Sequence, residues 1–375
     1  MRIAFLHDRF PFGGGEKVTA DLACGLTECY RDNEVWIIAA QFGEVRHTDK
    51  IHYERLPDGA KLKYPSGMSA LIGLLRDKAV DVLIMPVDPP DGLLDAVRRE
   101  LPECKLIYIL HSVPMWQVEN KRQQGLVKNL RESLLGTYTR RYRRRYVEIY
   151  SKVDAFVTLC GQYKRDVELI VGADRCNSKV YAVYNPVDVG YYLPYRSVRK
   201  EKEVLYVGRL SYADKRVDRL IRIWSSIESL HPDWVLKIVG EGPEKNKLCQ
   251  LASKLGLNNV KFVGYSADPR EHYSTASILC LTSSFEGWGM VLAESASAGV
   301  VPIAFECSAG TSQLLDLVGG IKVAPFDEGE YERKLVELMG HYPEIENGSS
   351  VNDLLTQFSP ETIAGEWHII LTALK

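Results

Sequence analysis

The chain has 375 residues, 46% of them hydrophobic and 26% charged, which is the composition of a globular protein of about two to three domains. Its 47 Lys and Arg against 49 Asp and Glu give a formal net charge of -2, which excludes a global attraction to nucleic acid or to acidic surfaces. The first apolar run breaks at His7 and the later runs are strand-sized, too short for a signal peptide or a membrane span.

Short apolar runs alternate with longer segments of helical period in two series, the pattern of parallel sheets covered by helices. The first series predicts strands at 2–6, 34–40, 80–86, 105–110, 153–159 and 180–185. The second series predicts strands at 203–208, 234–240, 260–265, 277–283, 300–305 and 319–325. We therefore expect an α/β protein of two Rossmann-like doubly wound domains. Ligands of such sheets bind beyond the carboxyl ends of the strands, and two facing domains would form an interdomain cleft.

A polar segment with one proline, 191–202, separates the two series and predicts a linker. Near the end of the chain, Ser359 precedes Pro360, which is a typical helix start, and a helical apolar stripe follows. The predicted domains are 1–195, 196–358 and a final helix at 359–375.

The eight cysteines are scattered and form no C-x-x-C pair. Most of them lie inside apolar stretches, which is typical of reduced core residues and not of a zinc site or a disulfide framework. We therefore expect a cytoplasmic protein.

A glycine-rich segment, Gly13-Gly14-Gly15, follows the first strand and precedes a helical run. Backbone delivered in this way to a helix N-terminus can hold an anion or a sugar close to the main chain. The segment is neither G-x-G-x-x-G nor a Walker loop, which disfavours a nicotinamide or ATP site. A plain tight turn is the alternative.

In the second series, Arg209 follows a strand and Lys215 begins the next helix. A guanidinium and an ammonium at a strand-to-helix crossing can neutralise a diphosphate without a metal. Solvated loop charges are the alternative. Gly240 and Gly242 form a second glycine-rich turn, and at a third strand end, before Tyr265, a base could lie against the backbone.

The segment 283–299 carries the most specific pattern: a strand, Glu286, two glycines, a helix that begins around Gly289, and Glu294. On one helix the two acids would be ~12 Å apart, beyond the ~5–9.5 Å carboxyl separations of glycosidase pairs. They can instead hold two hydroxyl-bearing rings at opposite ends of a diphosphate. A helix start with acids there by chance is the alternative. The phosphate would face the exposed amides of Gly287, Trp288, Gly289 and Met290.

These motifs together resemble the donor site of retaining glycosyltransferases of family 4, which have the GT-B fold, and the resemblance extends over essentially the whole chain. It includes Asn185-Pro186-Val187-Asp188 and the final Trp-containing helix, which in the family crosses back onto the first domain. The first domain would then bind the acceptor and the second the nucleotide sugar.

The resemblance also implies a role for each matching residue. Arg209 and Lys215 would bind the nucleotide diphosphate, Glu294 the ribose, and Glu286 the hydroxyls of the donor sugar. His111, at the end of a predicted strand, resembles the family histidine that faces the donor sugar. A structural role is the alternative for a lone histidine.

The family resemblance implies transfer with retention of configuration. No two aspartates are separated by one residue, so the D-x-D pair that usually carries Mg²⁺ or Mn²⁺ in metal-dependent transferases is missing. Cationic side chains and helix amides would stabilise the leaving diphosphate, and we expect no cofactor and no metal. The leaving phosphate would take the acceptor proton in a same-face attack, with His111 as a weaker candidate for the base.

Residues 121–146 contain nine Lys or Arg and one acid, Glu132. This is the pattern of an interfacial helix attracted to anionic lipid, and a solvated helix face packed on the domain is the alternative. Nucleic acid is disfavoured because the rest of the chain is not basic. An apolar and aromatic stripe recurs every four residues beside the charge: Leu126, Leu130, Leu134, Tyr138, Tyr142 and Tyr146.

The sequence thus predicts a glycosyltransferase that moves a sugar from a nucleotide-diphosphate sugar, a UDP-sugar, to a glycan or lipid-linked acceptor in bacterial surface-polysaccharide assembly. It would be a cytoplasmic protein at the inner face of the membrane. A sugar-nucleotide epimerase of the same fold and a non-catalytic nucleotide-binding module are the alternatives.

Overall fold

The computed structural model describes residues 1–11, 13–43, 49–57, 61–123, 132, 135–196, 199–342 and 353–374. The chain divides into two compact units, unit 1 (Met1–Pro186 with Phe358–Lys375) and unit 2 (Val187–Gln357). Each unit contains one parallel sheet with helical connections, as the alternating pattern of the sequence predicts.

Unit 1 is built on seven parallel strands. They are β1 (Arg2–Phe10), β2 (Glu34–Phe42), β3 (Ile51–Arg55), β4 (Val82–Met85), β5 (Lys105–Ile109), β6 (Ala155–Thr158) and β7 (Val180–Ala182). Their order in the sheet is β3-β2-β1-β4-β5-β6-β7. The connections contain α1 (Gly14–Cys29), α2 (Pro65–Asp77), α3 (Leu93–Glu100), α4 (Trp116–Gln123), α5 (Thr137–Lys152) and α6 (Gly161–Val171).

Unit 2 is built on six parallel strands. They are β8 (Glu203–Val207), β9 (Val235–Val239), β10 (Val260–Gly264), β11 (Ile278–Leu281), β12 (Val301–Phe305) and β13 (Ile321–Val323), in the order β10-β9-β8-β11-β12-β13. Its helices are α7 (Val189–Tyr192), α8 (Val217–Ile227), α9 (Lys245–Lys254), α10 (Arg270–Thr275), α11 (Met290–Ser297), α12 (Ala309–Val318) and α13 (Glu328–Gly340).

The final helix, α14 (Pro360–Ala373), returns to unit 1, where it packs on α1 as expected. It begins at the predicted cap, because the Ser359 hydroxyl accepts a hydrogen bond from the Thr362 amide at 3.2 Å. Trp367 of this helix enters an apolar cluster with Ile3 and Phe5 of β1. No helix in the described ranges is long and apolar enough to cross a membrane.

All twelve predicted strands are present, and the structure adds β3, which the sequence pattern did not predict. This strand, Ile-His-Tyr-Glu-Arg, pairs with only one neighbour at the edge of the sheet, and only Ile51 of its five residues is buried. A short edge strand needs no continuous apolar run, so its sequence pattern is weak.

The predicted linker is a packed part of unit 2, and residues 187–195, which we assigned to the first domain, belong there as well. Tyr192 is fully buried, and its ring meets that of Tyr273 edge to face at 5.9 Å. The Lys200 side chain is also fully buried. Its Nζ lies within hydrogen-bond distance of four main-chain carbonyls, those of Tyr195, Tyr273, Ser274 and Ala298.

Two smaller expectations also differ from the structure. Helix α8 begins at Val217, not at Lys215, because Arg216 adopts a left-handed conformation with φ of 48° and so precedes the helix. All eight cysteines carry free thiols, but Cys29 and Cys176 are exposed and so are not core residues.

Candidate functional site

The sheet of unit 2 reverses its strand order between β8 and β11, which are paired neighbours. The strands that follow β8 in the chain lie on one side of it, and those that follow β11 lie on the other. The loops after these two strands therefore diverge and leave a crevice, which is where doubly wound sheets bind ligands. The charged residues among the predicted site residues of these loops are Arg209 and Lys215 after β8 and Glu286 after β11.

Lys215 and Glu286 form an ion pair at this reversal. The Lys215 Nζ lies 2.5 Å from Glu286 Oε1, and Ser283 donates its hydroxyl to the same oxygen at 2.7 Å. The exposed fractions of the lysine and glutamate side chains are 23% and 11%, so water screens this attraction only weakly. The two residues have separate predicted roles, in binding the diphosphate and the sugar, and the structure brings them into direct contact.

Arg209 has the opposite character, since 66% of its side chain is exposed. Its guanidinium donates to Asp214 at 2.7 Å, and the Ser211 hydroxyl donates to the same carboxyl group. Burial alone would raise the pKa of Asp214, but the hydrogen bonds from Ser211 and Arg209 hold it below its usual value. Asp214 is therefore an anionic partner that holds the exposed guanidinium of Arg209.

The glycines after β8 and β9 permit a close approach of two loops. A Cβ on Gly240 would lie 1.9 Å from the Gly208 carbonyl oxygen, and a Cβ on Gly242 would lie 2.3 Å from that of Leu210. The Leu210 amide also donates to the Glu241 carbonyl at 2.9 Å. Gly240 and Gly242 thus have a structural reason to be glycine, which is independent of any ligand.

Helix α11 begins at the crevice without a side-chain cap. Gly289 precedes it in a left-handed conformation, with φ of 83°, which favours glycine. Trp288 is buried, with an exposed fraction of 2%, so its ring packs inside unit 2 and is not open to a ligand. The predicted amides of Gly287 to Met290 stand at the positive end of this helix.

Glu294 lies in the interior of α11, with an exposed fraction of 5%. Its Oε2 accepts a hydrogen bond from the Tyr273 hydroxyl at 3.0 Å. The predicted base contact, Tyr265, is 74% exposed at the end of β10 and free to stack.

The remaining predicted residues belong to unit 1. Gly14 and Gly15 form the first turn of α1, and a Cβ on either would meet no described atom within 4 Å. The His111 Nδ1 pairs with Asn185 Oδ1 at 3.1 Å. Burial lowers the pKa of His111 to about 4, so its ring is neutral at pH 7.

A second buried histidine in unit 1, His7, was not singled out from the sequence. Its Nε2 bonds the Thr19 hydroxyl at 3.0 Å, while its Nδ1 has no hydrogen-bond partner among the described residues. Burial, with the nearby His111, lowers the pKa of His7 to about 4. A histidine inside an apolar strand carries no sequence signal that separates this state from an ordinary core residue.

The basic segment 121–146 lies partly outside the described residues, including Leu126, Leu130 and Leu134. Its later part is in α5, where Tyr146 is buried and accepts a hydrogen bond from the Met115 amide. The aromatic stripe therefore packs into unit 1 at this end and does not face outward. The helix start is held by buried Glu132, which accepts the amides of Tyr138 and Thr139.

Four residues that were not predicted as site residues each form a hydrogen bond with a predicted one. The pairs are Ser283 with Glu286, Asp214 with Arg209, Tyr273 with Glu294 and Asn185 with His111. Only Asn185 had a sequence signal, the Asn-Pro-Val-Asp motif. In the described part of the chain, no three His, Cys, Asp or Glu side chains come together as a metal site would require.

Two family models match the chain, Glycosyltransferase Family 4 over residues 12–191 and Glycosyl transferases group 1 over residues 194–346. An uncharacterized glycosyltransferase of Haemophilus influenzae is 31% identical over 368 residues, 96% of each chain. The Campylobacter jejuni enzyme GalNAc-alpha-(1->4)-GalNAc-alpha-(1->3)-diNAcBac-PP-undecaprenol alpha-1,4-N-acetyl-D-galactosaminyltransferase is 26% identical, over 89% of this chain and 88% of its own. The crystal structure of Anabaena HepE in complex with UDP-glucose superposes with a TM-score of 0.76 at 18% identity, over 100% of both chains.

Proposed function

Because the chain belongs to glycosyltransferase family 4 and has the GT-B fold, we propose that it moves a sugar from a UDP-sugar to a hydroxyl of a glycan or lipid-linked acceptor, with retention of configuration. One observation carries the proposal: a partly buried Lys215–Glu286 pair lies at the strand-order reversal of unit 2, which also holds the exposed guanidinium of Arg209. Cations and a carboxylate in one crevice match a ligand that joins a diphosphate to a sugar.

The donor binds by an exchange of partners. Without ligand, Glu286 neutralises Lys215. A diphosphate offers Lys215 and Arg209 more negative charge than Glu286 alone, and the amides at the start of α11 add donors without a metal. Glu286 then accepts hydrogen bonds from hydroxyls of the sugar, Glu294 accepts those of the ribose, and Tyr265 stacks on the base.

The reaction breaks the bond between the anomeric carbon and the diphosphate oxygen and forms a bond from that carbon to the acceptor oxygen. The negative charge that develops on the leaving diphosphate is stabilised by Arg209 and Lys215. The acceptor attacks from the face on which the diphosphate departs, so the configuration is retained. The leaving phosphate oxygen takes the acceptor proton. His111, with a pKa of about 4, is a weak base at neutral pH and acts as a hydrogen-bond acceptor for a sugar hydroxyl.

The name of the Campylobacter relative contains an undecaprenol-linked glycan, which supports a lipid-linked acceptor for this chain. Bacterial surface-polysaccharide assembly is the setting we propose. The free thiols of all eight cysteines fit a reducing compartment, so we place the enzyme on the cytoplasmic side.

The outward face of α5 fits an anionic membrane surface. Arg140, Arg141 and Arg144 are exposed and have no ion-pair partner among the described residues, whereas Arg143 donates to the Ile170 carbonyl and Arg145 pairs with Glu148. Val147 and Leu169 are exposed on α5 and its neighbour α6, with fractions of 40% and 70%. Unpaired cations beside exposed apolar side chains are the contacts that a lipid interface provides.

Reversing these three charges with Arg140→Glu, Arg141→Glu and Arg144→Glu should abolish binding to vesicles that contain anionic phosphatidylserine at low salt. Each arginine near such a surface contributes about 1 kcal/mol, so the three together are worth about a hundredfold in affinity. Vesicle sedimentation measures the loss. The matched control reverses three exposed lysines of unit 2, Lys247, Lys254 and Lys261. Equal vesicle binding by the two triple variants would contradict the proposal that the three arginines of α5 bind the membrane surface.

A panel of UDP-, GDP- and ADP-sugars should raise the melting temperature only with the correct donor, because a ligand that binds only the folded state stabilises it. We expect a UDP-sugar to give the shift. The same donor should then release UDP faster when a lipid-linked glycan is added. A sugar-nucleotide epimerase would turn over equally well without the acceptor, and a chain that binds no nucleotide sugar would refute the proposed donor.

A further inference from the structure

Glu294 accepts a hydrogen bond from Tyr273, whose side chain and main chain are both held by further contacts. The Tyr273 side chain is fully buried, and its hydroxyl donates to Glu294 Oε2 at 3.0 Å. The ring packs edge to face on that of Tyr192, and the main-chain carbonyl of the same tyrosine accepts from Lys200 Nζ at 3.0 Å. The hydroxyl therefore has little freedom to move away from the carboxylate.

This contact is costly to build. A buried carboxylate needs hydrogen-bond donors, since it otherwise loses its solvation without compensation. An apolar residue at position 294 would pack inside α11 without that cost. Burial and the charge of Glu294 raise the pKa of Tyr273 well above its usual value, so the hydroxyl remains a donor at any working pH. The pair is therefore built to keep the Glu294 carboxyl group in one orientation.

The orientation of a glutamate carboxylate is otherwise poorly defined. Its last torsion joins an sp³ carbon to an sp² carbon and is broad, so the plane of the two oxygens can rotate at little cost. A vicinal diol donates two hydrogen bonds in nearly the same direction. To accept both, the carboxylate must be rotated so that each of its two oxygens faces one of the two hydroxyls. A donor fixed on Oε2 selects that plane before the ligand arrives.

We propose that Tyr273 is a positioning residue that orients Glu294 toward both ribose hydroxyls of the donor nucleotide, and so makes the site select ribonucleotides over 2′-deoxyribonucleotides. The inference rests on the proposed function, in which Glu294 binds the ribose. Tyr273 touches Glu294 and has no contact with the substrate of its own.

The test is isothermal titration calorimetry of UDP, 2′-deoxy-UDP and inorganic pyrophosphate with the full-length protein. The wild type should bind UDP at least about tenfold more tightly than 2′-deoxy-UDP, the value of one hydrogen bond to a charged acceptor. Tyr273→Phe should weaken UDP about tenfold and reduce the preference to within about threefold. Its affinity for pyrophosphate should stay unchanged, because Arg209 and Lys215 are intact.

Tyr331→Phe is the matched control. Tyr331 is another fully buried tyrosine of unit 2, and its hydroxyl donates to the Ile303 carbonyl at 2.8 Å, so its loss perturbs the fold without reaching Glu294. This variant should lower the melting temperature and keep the wild-type ribose preference. In a Glu294→Gln background, Tyr273→Phe should change the preference no further.

The outcomes separate two failures. If the wild type binds no UDP, the proposed donor is wrong, and the role of Tyr273 is wrong with it. If the wild type selects UDP and Tyr273→Phe keeps the full preference, the donor assignment stands and the positioning role is overturned. A preference lost equally in Tyr331→Phe would also overturn it, because general loosening of unit 2 would then explain the result.

Discussion

Glu286→Gln should lower turnover by about 10²–10³-fold, the loss that follows when one preorganised polar contact to the transition state is removed. The glutamine keeps the shape of the side chain but accepts hydrogen bonds from the donor sugar without a charge. UDP affinity should stay unchanged or rise. The Glu286 carboxylate lies 2.5 Å from Lys215 Nζ, and its loss removes a competitor of the diphosphate for this ammonium. Steady-state kinetics of sugar transfer and calorimetry with UDP measure the two effects.

Lys215→Met should have the opposite signature. It should weaken UDP by about tenfold or more, since a charge-assisted contact to phosphate is lost. Of the two variants of one ion pair, only Lys215→Met should thus weaken UDP binding, a difference that no general loss of structure would produce. Asp233→Asn, at an exposed Lys202–Asp233 pair before β9, is the control that should change neither quantity. Normal turnover in Glu286→Gln, or an unaltered UDP dissociation constant in Lys215→Met, would reject the assigned role.

Lys200→Met should destabilise unit 2 by about 3–5 kcal/mol, the largest stability effect we expect in this chain. Burial lowers the pKa of Lys200 to about 8, so the ammonium still carries its three donors at neutral pH. Methionine fills a similar volume but supplies none of them, which leaves the four carbonyls that the ammonium contacts without this donor. Urea unfolding followed by circular dichroism measures the change.

The control for Lys200→Met is Lys202→Met. Lys202 is two residues further on and pairs with Asp233, but its side chain is 40% exposed, so its removal should cost less than about 1 kcal/mol. Equal unfolding midpoints for the two variants would show that the buried ammonium adds nothing to the packing of the segment before β8.

The sequence alone was sufficient for the succession of strands and helices along the chain, apart from β3, for the helix start at Gly289 and for the cap at Ser359. These features depend on neighbouring residues: apolar periodicity, a glycine where φ is positive, a serine before a proline. The edge strand β3 was missed for the same reason, because the apolar periodicity along its five residues is weak. The boundary between the first two domains was also misplaced, after residue 195 instead of after Pro186, because nothing local shows that Tyr192 and Lys200 are buried in unit 2.

Only the tertiary structure decided which side chains meet. Lys215 and Glu286 are 71 residues apart, and they pair because β8 and β11 are adjacent in the sheet, so the loops after both strands reach the same edge. Tyr273 and Glu294, 21 residues apart, and His111 and Asn185, 74 residues apart, are also brought together only by the packing of their units. The order of the strands within a sheet and the burial of a side chain arise from the packing of the whole unit. A local sequence pattern therefore does not determine them.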